Sequence, residues 1–228
     1  MAEHNGLLRW HDLPTCKHMP VLTKICGLST PETVDAAVGG GAAWLGFVFF
    51  PNSPRNVEAD AATALVRRLP GHVRAAAVLV DPDEALIRRV TATGVHALQL
   101  HGNEPPERLA ALRSPGLELW KAVPVRTRAD LEQARLYRGV ADRIVYDAKT
   151  PVGSLPGGMG LRFDWALLDG FDHPLPWALS GGLDDGNIAQ AVGRTGARMV
   201  DVSSGVESAP GVKDMDKIAT FLQSAAQL

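Results

Sequence analysis

Eight apolar runs, each followed by a stretch with helical spacing, recur along this chain and constrain its fold more than any other feature. The runs cover residues 21–26, 43–50, 74–80, 97–101, 117–125, 143–147, 177–180 and 199–203. Most are nearly unbroken, as strands buried on both faces of a parallel sheet must be. Between them the apolar steps lengthen to three and four residues, as at Ala61, Leu65 and Leu69. Helices are expected from Pro31, behind Ser29 or Thr30 as a cap, and over 58–69, 83–93, 104–113, 130–136, 164–168, 185–192 and 215–226. Asp130 and Asp164 each place a carboxylate where a helix N-terminus favours one. Eight β-then-α units predict an α/β fold of one domain, a closed (β/α)8 TIM barrel spanning residues 21–228. An open doubly wound sheet is the alternative. Against it, the first strand leads into Gly27-Leu28-Ser29, where such a sheet would carry Gly-x-Gly-x-x-Gly.

Residues 1–20 stand apart from this rhythm. They mix His4, Arg9, His11, Asp12 and Lys17 with Pro14 and Pro20 and show no period. They read as a disordered N-terminal extension, or as upstream sequence if Met19 is the natural start; an ordered arm over the barrel base is the other reading. No secretory signal is visible there.

Composition removes several classes of function. A formal net charge of −2 gives no broad attraction to nucleic acid or to an anionic membrane. The longest apolar run, 42–50, is too short to span a bilayer. Two cysteines, Cys16 and Cys26, are too few for a disulfide framework and suit a reducing cytoplasm. The seven histidines are scattered without metal-ligand spacing, so neither a metal nor another cofactor is expected.

In a parallel barrel the strand C-termini form the active mouth. Here the strands end at Cys26, Phe50, Asp81, His101, Val125, Asp147, Gly181 and Ser203. The thiol of Cys26 and the carboxyl of Asp147 are the pair able to act as base and acid. Each also has an inert reading: cysteine is often a small buried hydrophobe, and Asp147 could cap a loop or pair with Lys149. Strand parity turns Lys24 inward with Cys26, and Asp201 inward with Ser203. Strands one and eight meet at the barrel seam, so Lys24 and Asp201 are expected to pair inside it, in a structural role. Gln99 and His101 share a strand face turned to the pocket, although a satisfied core histidine reads equally well. Ser180-Gly181-Gly182-Leu183 and Asp201-Val202-Ser203-Ser204-Gly205 close strands seven and eight, where phosphate-binding barrels cradle an anion on backbone N–H groups.

Seven segments, in order, carry a resemblance: Lys24-Ile25-Cys26-Gly27, Gly46-Phe47-Val48-Phe49, Ser53-Pro54-Arg55, Leu98-Gln99-Leu100-His101-Gly102, Phe163-Asp164-Trp165, Leu179-Ser180-Gly181-Gly182-Leu183 and Asp201-Val202-Ser203-Ser204-Gly205-Val206-Glu207. Together they resemble the phosphoribosylanthranilate isomerases of tryptophan biosynthesis. The resemblance implies an Amadori rearrangement of a phosphosugar without cofactor. It puts Cys26 as general base and Asp147 as general acid, Arg55 on the anthranilate carboxylate, and Gly182, Ser203 and Gly205 on the phosphate, mostly through the backbone. A solvated surface arginine is the other reading of Arg55. Both catalytic roles make demands: a free thiol titrates near ~8.5 and a free aspartic acid near ~3.9, so each needs its pKa moved or substrate help. The loop after strand six departs from the family, with Met159 in Gly157-Gly158-Met159-Gly160 where a hydroxyl is usual. Residues 151–161 carry four glycines and read as a lid. The histidine-pathway isomerase, which resembles this fold, is expected to use aspartates on strands one and five; Cys26 and Val125 stand there instead. A non-catalytic phosphosugar-binding barrel would keep Gly182 and Ser203 but lose the acid or the base. Monomer and homodimer are both compatible with the chain. A protein beginning at Met19 should retain full activity in a steady-state assay; a collapse would give the leading residues a role.

Overall fold

The computed structural model describes residues 20–150 and 160–228. The expected extension, Pro20 apart, lies outside the described residues, as do Met159 and residues 151–159 of the glycine-rich run. Strands β1 (Leu22–Cys26), β2 (Trp44–Phe49), β3 (Arg74–Leu79), β4 (Ala97–Leu100), β5 (Glu118–Val125), β6 (Arg143–Ala148), β7 (Trp177–Leu179) and β8 (Met199–Val202) close into a barrel in chain order, with β8 parallel to β1. Helices α1 (Pro31–Gly39), α2 (Ala59–Val66), α3 (Glu84–Thr91), α4 (Pro106–Ala111), α5 (Arg128–Glu132), α6 (Ile188–Thr195) and α7 (Met215–Ala225) accompany them. No described helix is long and apolar enough to cross a membrane.

Departures from the expected helices have local causes. Thr30 caps α1 as anticipated. The segment after β6 forms only a 3₁₀ turn, Trp165–Leu168, because Gly170 takes φ +60° and ends it. Helix α5 starts behind Thr127 rather than at Asp130, whose carboxylate accepts the N–H groups of Thr127 (2.8 Å) and Arg126 (3.0 Å). Glu104 does not open α4. Its buried carboxylate instead accepts Asp81 N–H at 2.8 Å and Lys121 Nζ at 3.0 Å, pinning the loop after β4. A short antiparallel hairpin, β9 (Glu207–Ala209) with β10 (Val212–Lys213), follows β8 and has no counterpart in the sequence reading.

Alternation along the strands creates two cores. Outward residues such as Ile25, Leu45, Phe47, Leu98 and Ile144 pack with helix residues such as Ile218 and Phe221. Inward residues plug the base of the barrel: Trp44 and Trp120, with ring centroids 4.5 Å apart, fit among Ala76, Ala97, Ala122 and Ala178. Large rings matched by alanines fill the narrow lumen, so the open end lies at the strand C-termini.

Lys24 and Asp201 face each other in the β1–β8 register, and Lys24 Nζ lies 2.9 and 2.8 Å from the two carboxylate oxygens. The expected seam pair therefore exists, with side chains 0% and 5% exposed. Burial works against the Lys24 ammonium, but Asp201 and Cys26 outweigh it and keep its pKa above the ordinary lysine value. Removing one partner strands a charge in the interior. Lys24→Met should cost about 3–5 kcal/mol in urea unfolding, with much of the loss recovered when Asp201→Leu is added. Near-wild-type stability of the single variant would show that the pair does not hold the seam.

Candidate active site

β1 ends at Cys26 because Gly27, at φ +80°, turns the chain out of the sheet. Opposite Cys26 in the register stands Gly46. A side chain there would place its first carbon 2.8 Å from Cys26 Sγ and 3.0 Å from Lys24 Nζ, so a bare position on β2 makes room for both groups. Burial pushes the Cys26 thiol above its ordinary pKa; Lys24 and Lys213 pull the other way, and Asp201 adds to the rise. At neutral pH the unliganded thiol is therefore protonated. The depressed pKa that would favour a base is absent from the free protein.

Asp147 enters from β6, and its side chain is 7% exposed. Its Oδ1 accepts Ala148 N–H at 2.9 Å and its Oδ2 lies 3.0 Å from His101 Nε2. Lys149 turns away and pairs with Asp130 at 3.3 Å, which removes the reading of Asp147 as its partner. Cys26 and Asp147 line one cleft of about 590 Å³, together with Gln99 and His101. Val48, Phe50, Val78 and Val80 give it one apolar wall, a face suited to a flat ring.

Asp147, Ser180, Asp201 and Ser203 also belong to an adjoining recess lined by Gly181, Gly182, Leu183 and Ser204. This is a backbone-rich compartment. Gly181 and Gly182 take φ +88° and +62°, a region open to glycine at little cost. A side chain on Gly182 would meet the carbonyl oxygens of Gly160 and Leu161 at 2.8 Å. Gly205 lies so close to Leu183 that an added carbon would sit 1.9 Å from its carbonyl oxygen. The loops after β7 and β8 thus touch backbone to backbone. Asn187 fixes the first, accepting Asp184 N–H at 3.1 Å and donating to Gly182 O at 2.9 Å. The hydroxyl of Ser203 donates to Cys26 O at 3.1 Å, which ties the end of β8 to the end of β1.

Arg55 is not a solvated arginine. It lies in the cleft wall, and Glu207 grips it through Nε and Nη2, both at 2.7 Å. Lys213 Nζ, on β10, reaches Glu207 at 2.7 Å and Ser203 O at 2.8 Å. Burial opposes ionised Glu207, but Arg55 and Lys213 outweigh it and hold its pKa below the ordinary value. Sequence reasoning quoted Glu207 without assigning it a role and passed over Lys213 and Asn187. A lysine on a two-residue strand carries no local sign of burial. The positions it did single out, Cys26, Arg55, Gln99, His101, Asp147 and Ser203, share the cleft; Gly182 lines the adjoining recess, and Gly205 packs beneath it. Among the described residues no cluster of three or more His, Cys, Asp or Glu could hold a metal.

A closed parallel barrel with a thiol and a carboxyl in one cleft, a glycine-lined recess over the loops after β7 and β8, and an apolar wall beside an arginine defines a class: a (β/α)8-barrel enzyme with its site at the strand C-termini. Comparison with known proteins narrows the class. Residues 23–224 match the family described as N-(5'-phosphoribosyl)anthranilate isomerase. The enzyme of that name from Zymomonas mobilis subsp. pomaceae is 58% identical over 212 residues, 92% of this chain and all of the relative. The crystal structure of phosphoribosyl anthranilate isomerase from Thermotoga maritima superposes with a TM-score of 0.83 at 36% identity, covering 91% of this chain and 100% of its own. A further isomerase structure, solved with reduced 1-(o-carboxyphenylamino)-1-deoxyribulose 5-phosphate, gives 0.78 at 34% identity, with coverage of 91% and 100%. The chain belongs to the phosphoribosylanthranilate isomerase family. Gly205→Ala should force the two anion loops apart and weaken inorganic phosphate binding about tenfold, or ~1.4 kcal/mol, in calorimetric titration; unchanged affinity would mean that the recess tolerates their separation.

Proposed function

We propose that Cys26 and Asp147 carry out the family's reaction in this chain, converting N-(5'-phosphoribosyl)anthranilate to 1-(2-carboxyphenylamino)-1-deoxyribulose 5-phosphate. The single observation that carries the assignment is their presence in one cleft, beside the glycine-lined recess. Asp147, as the acid, protonates the furanose ring oxygen, and the ring opens to an iminium ion. Cys26, as the base, removes the C2′ proton to give an enolamine. C1′ then gains a proton and the C2′ hydroxyl loses one. Two protons are given and two taken, so the step is an internal redox shift that calls for no cofactor.

The phosphate is assigned to the backbone of the loops holding Gly182, Ser203 and Gly205. Arg55 is assigned to the anthranilate carboxylate, to which a guanidinium presents a planar fork. Glu207 holds that fork in plane, and the apolar wall of Val48, Phe50, Val78 and Val80 takes the ring. Gln99 and His101 complete the wall on the β4 side, nearest the sugar. The reading includes a cytoplasmic setting, supported by the free thiol of Cys26. The buried thiol gains its charge late, so Lys24 and Lys213 are the groups that favour the thiolate once the cleft is filled.

The test is an assay of substrate consumption by loss of its fluorescence. Cys26→Ser should reduce kcat by about 100-fold or more while phosphate affinity stays within threefold. The thiolate absorbance that distinguishes the wild type from Cys26→Ser should appear only as pH climbs beyond the ordinary thiol range, because burial pushes the free thiol up. Substantial turnover by the serine variant removes Cys26 from the chemistry.

A further inference from the structure

Gln99, His101 and Asp147 form a line across the mouth, from β4 to β6. His101 Nε2 lies 3.0 Å from Asp147 Oδ2, and Gln99 Nε2 lies 3.4 Å from His101 Nδ1. Gln99 is 1% exposed, and among the described residues its Oε1 has no hydrogen-bond partner although it lines the cleft. A buried acceptor left unpaired is costly, and such groups call for an explanation. The two ends of an amide differ only by a half-turn, so either can face the ring. A half-turn brings Oε1 to Nδ1, where it would accept a proton. An imidazolium has two N–H donors, and this site then offers one acceptor for each: Gln99 Oε1 on one side and Asp147 Oδ2 on the other.

Resting on the reading above, we propose that His101 is a positioning residue that shares one proton with Asp147 and so supplies that carboxyl with the proton it gives in ring opening, with Gln99 holding the protonated ring. The 3.0 Å contact lets a single proton lie on Nε2 or on Oδ2. Protons shared at this distance belong to the pair rather than to either member. The imidazolium Nε2–H passes its proton to Oδ2, and the Asp147 carboxyl so formed gives it to the furanose oxygen, leaving neutral His101 with its remaining proton on Nδ1. The pair recovers that proton from the C2′ hydroxyl when the enolamine becomes the ketone, so nothing is gained or lost over the cycle. The other charged groups around the pair are accounted for. Cys26, Arg55 and Asp201 share the cleft, and Asp201 and Arg55 are already paired with Lys24 and Glu207. From the β3 and β5 sides, Asp81 accepts Asn103 N–H and Lys121 pairs with Glu104, which anchors the chain just beyond His101.

His101→Asn separates this from a wall or substrate-contact role. At pH 7.5 kcat should drop about 10- to 100-fold, with KM and the affinity for the reduced product analogue within threefold. The deficit should shrink towards pH 5, and Gln99→Met should show the same trend with a smaller deficit. A deficit equal at every pH, or a rise in KM alone, overturns the proposal. Should the variants fail to fold, ¹⁵N spectra of ring-labelled wild-type protein decide: both His101 nitrogens should be protonated at pH 7, and Asp147→Asn should abolish this. A neutral ring in the wild type also overturns it. If the wild-type protein does not turn over phosphoribosylanthranilate while the spectra show the shared proton, the assigned reaction fails and the pair stands.

Discussion

A lysine with no exposed surface, held by an aspartate at the one place where the first strand meets the last, is the interaction on which the rest of the barrel depends. An ion pair in such surroundings is no bargain for stability compared with a well-packed hydrophobic pair. What it provides is register. A slip of one residue between β1 and β8 would leave both charges facing helices and would turn Cys26 and Ser203 out of the mouth. Because Lys24 is two residues from Cys26 and Asp201 two from Ser203, the seam that closes the barrel is also the floor of its chemistry. Gly46 completes this floor by leaving space that any other residue would fill.

Above the floor, charge and apolar surface are sorted by strand. β2 and β3 with their ends contribute the valines and Phe50, while β4, β6 and β8 with their ends contribute Gln99, His101, Asp147, Asp201 and Ser203. The sorting suits a molecule with an aromatic acid at one end and a phosphate at the other. Arg55, Glu207, Lys213 and Ser203 then form a continuous chain of contacts from the arginine to the start of the anion recess. The two ends of the cleft are therefore set by a single rigid network, whose hairpin lies outside the eight-strand barrel.

The sequence made the strands legible because each is buried on both sides and reads as an unbroken apolar run. The Lys24–Asp201 pair was legible too, since parity and the seam leave a buried lysine one plausible partner. Helix limits were less so. Thr127 and Asp130 share the cap of α5 through a reciprocal bond that spacing alone does not reveal, and the turn after β6 stops at Leu168, where the backbone of Asp169 leaves helical geometry. Pairings across long separations escaped altogether: Arg55 and Glu207 lie 152 positions apart, and His101 meets Asp147 only because β4 and β6 lean into the same mouth. Motif resemblance placed residues at the mouth, but which side chain holds which is decided by packing.

The contact between Gly205 and the carbonyl of Leu183 has a consequence for anyone rebuilding this barrel. The last two connecting loops cannot be inherited separately. A chimera joined between β7 and β8 would match one parent's loop to the other's, and a mismatch of a single methyl group would wedge them open. Crossover points belong before β7 or beyond the β9–β10 hairpin, so that this quarter of the molecule travels as one cassette.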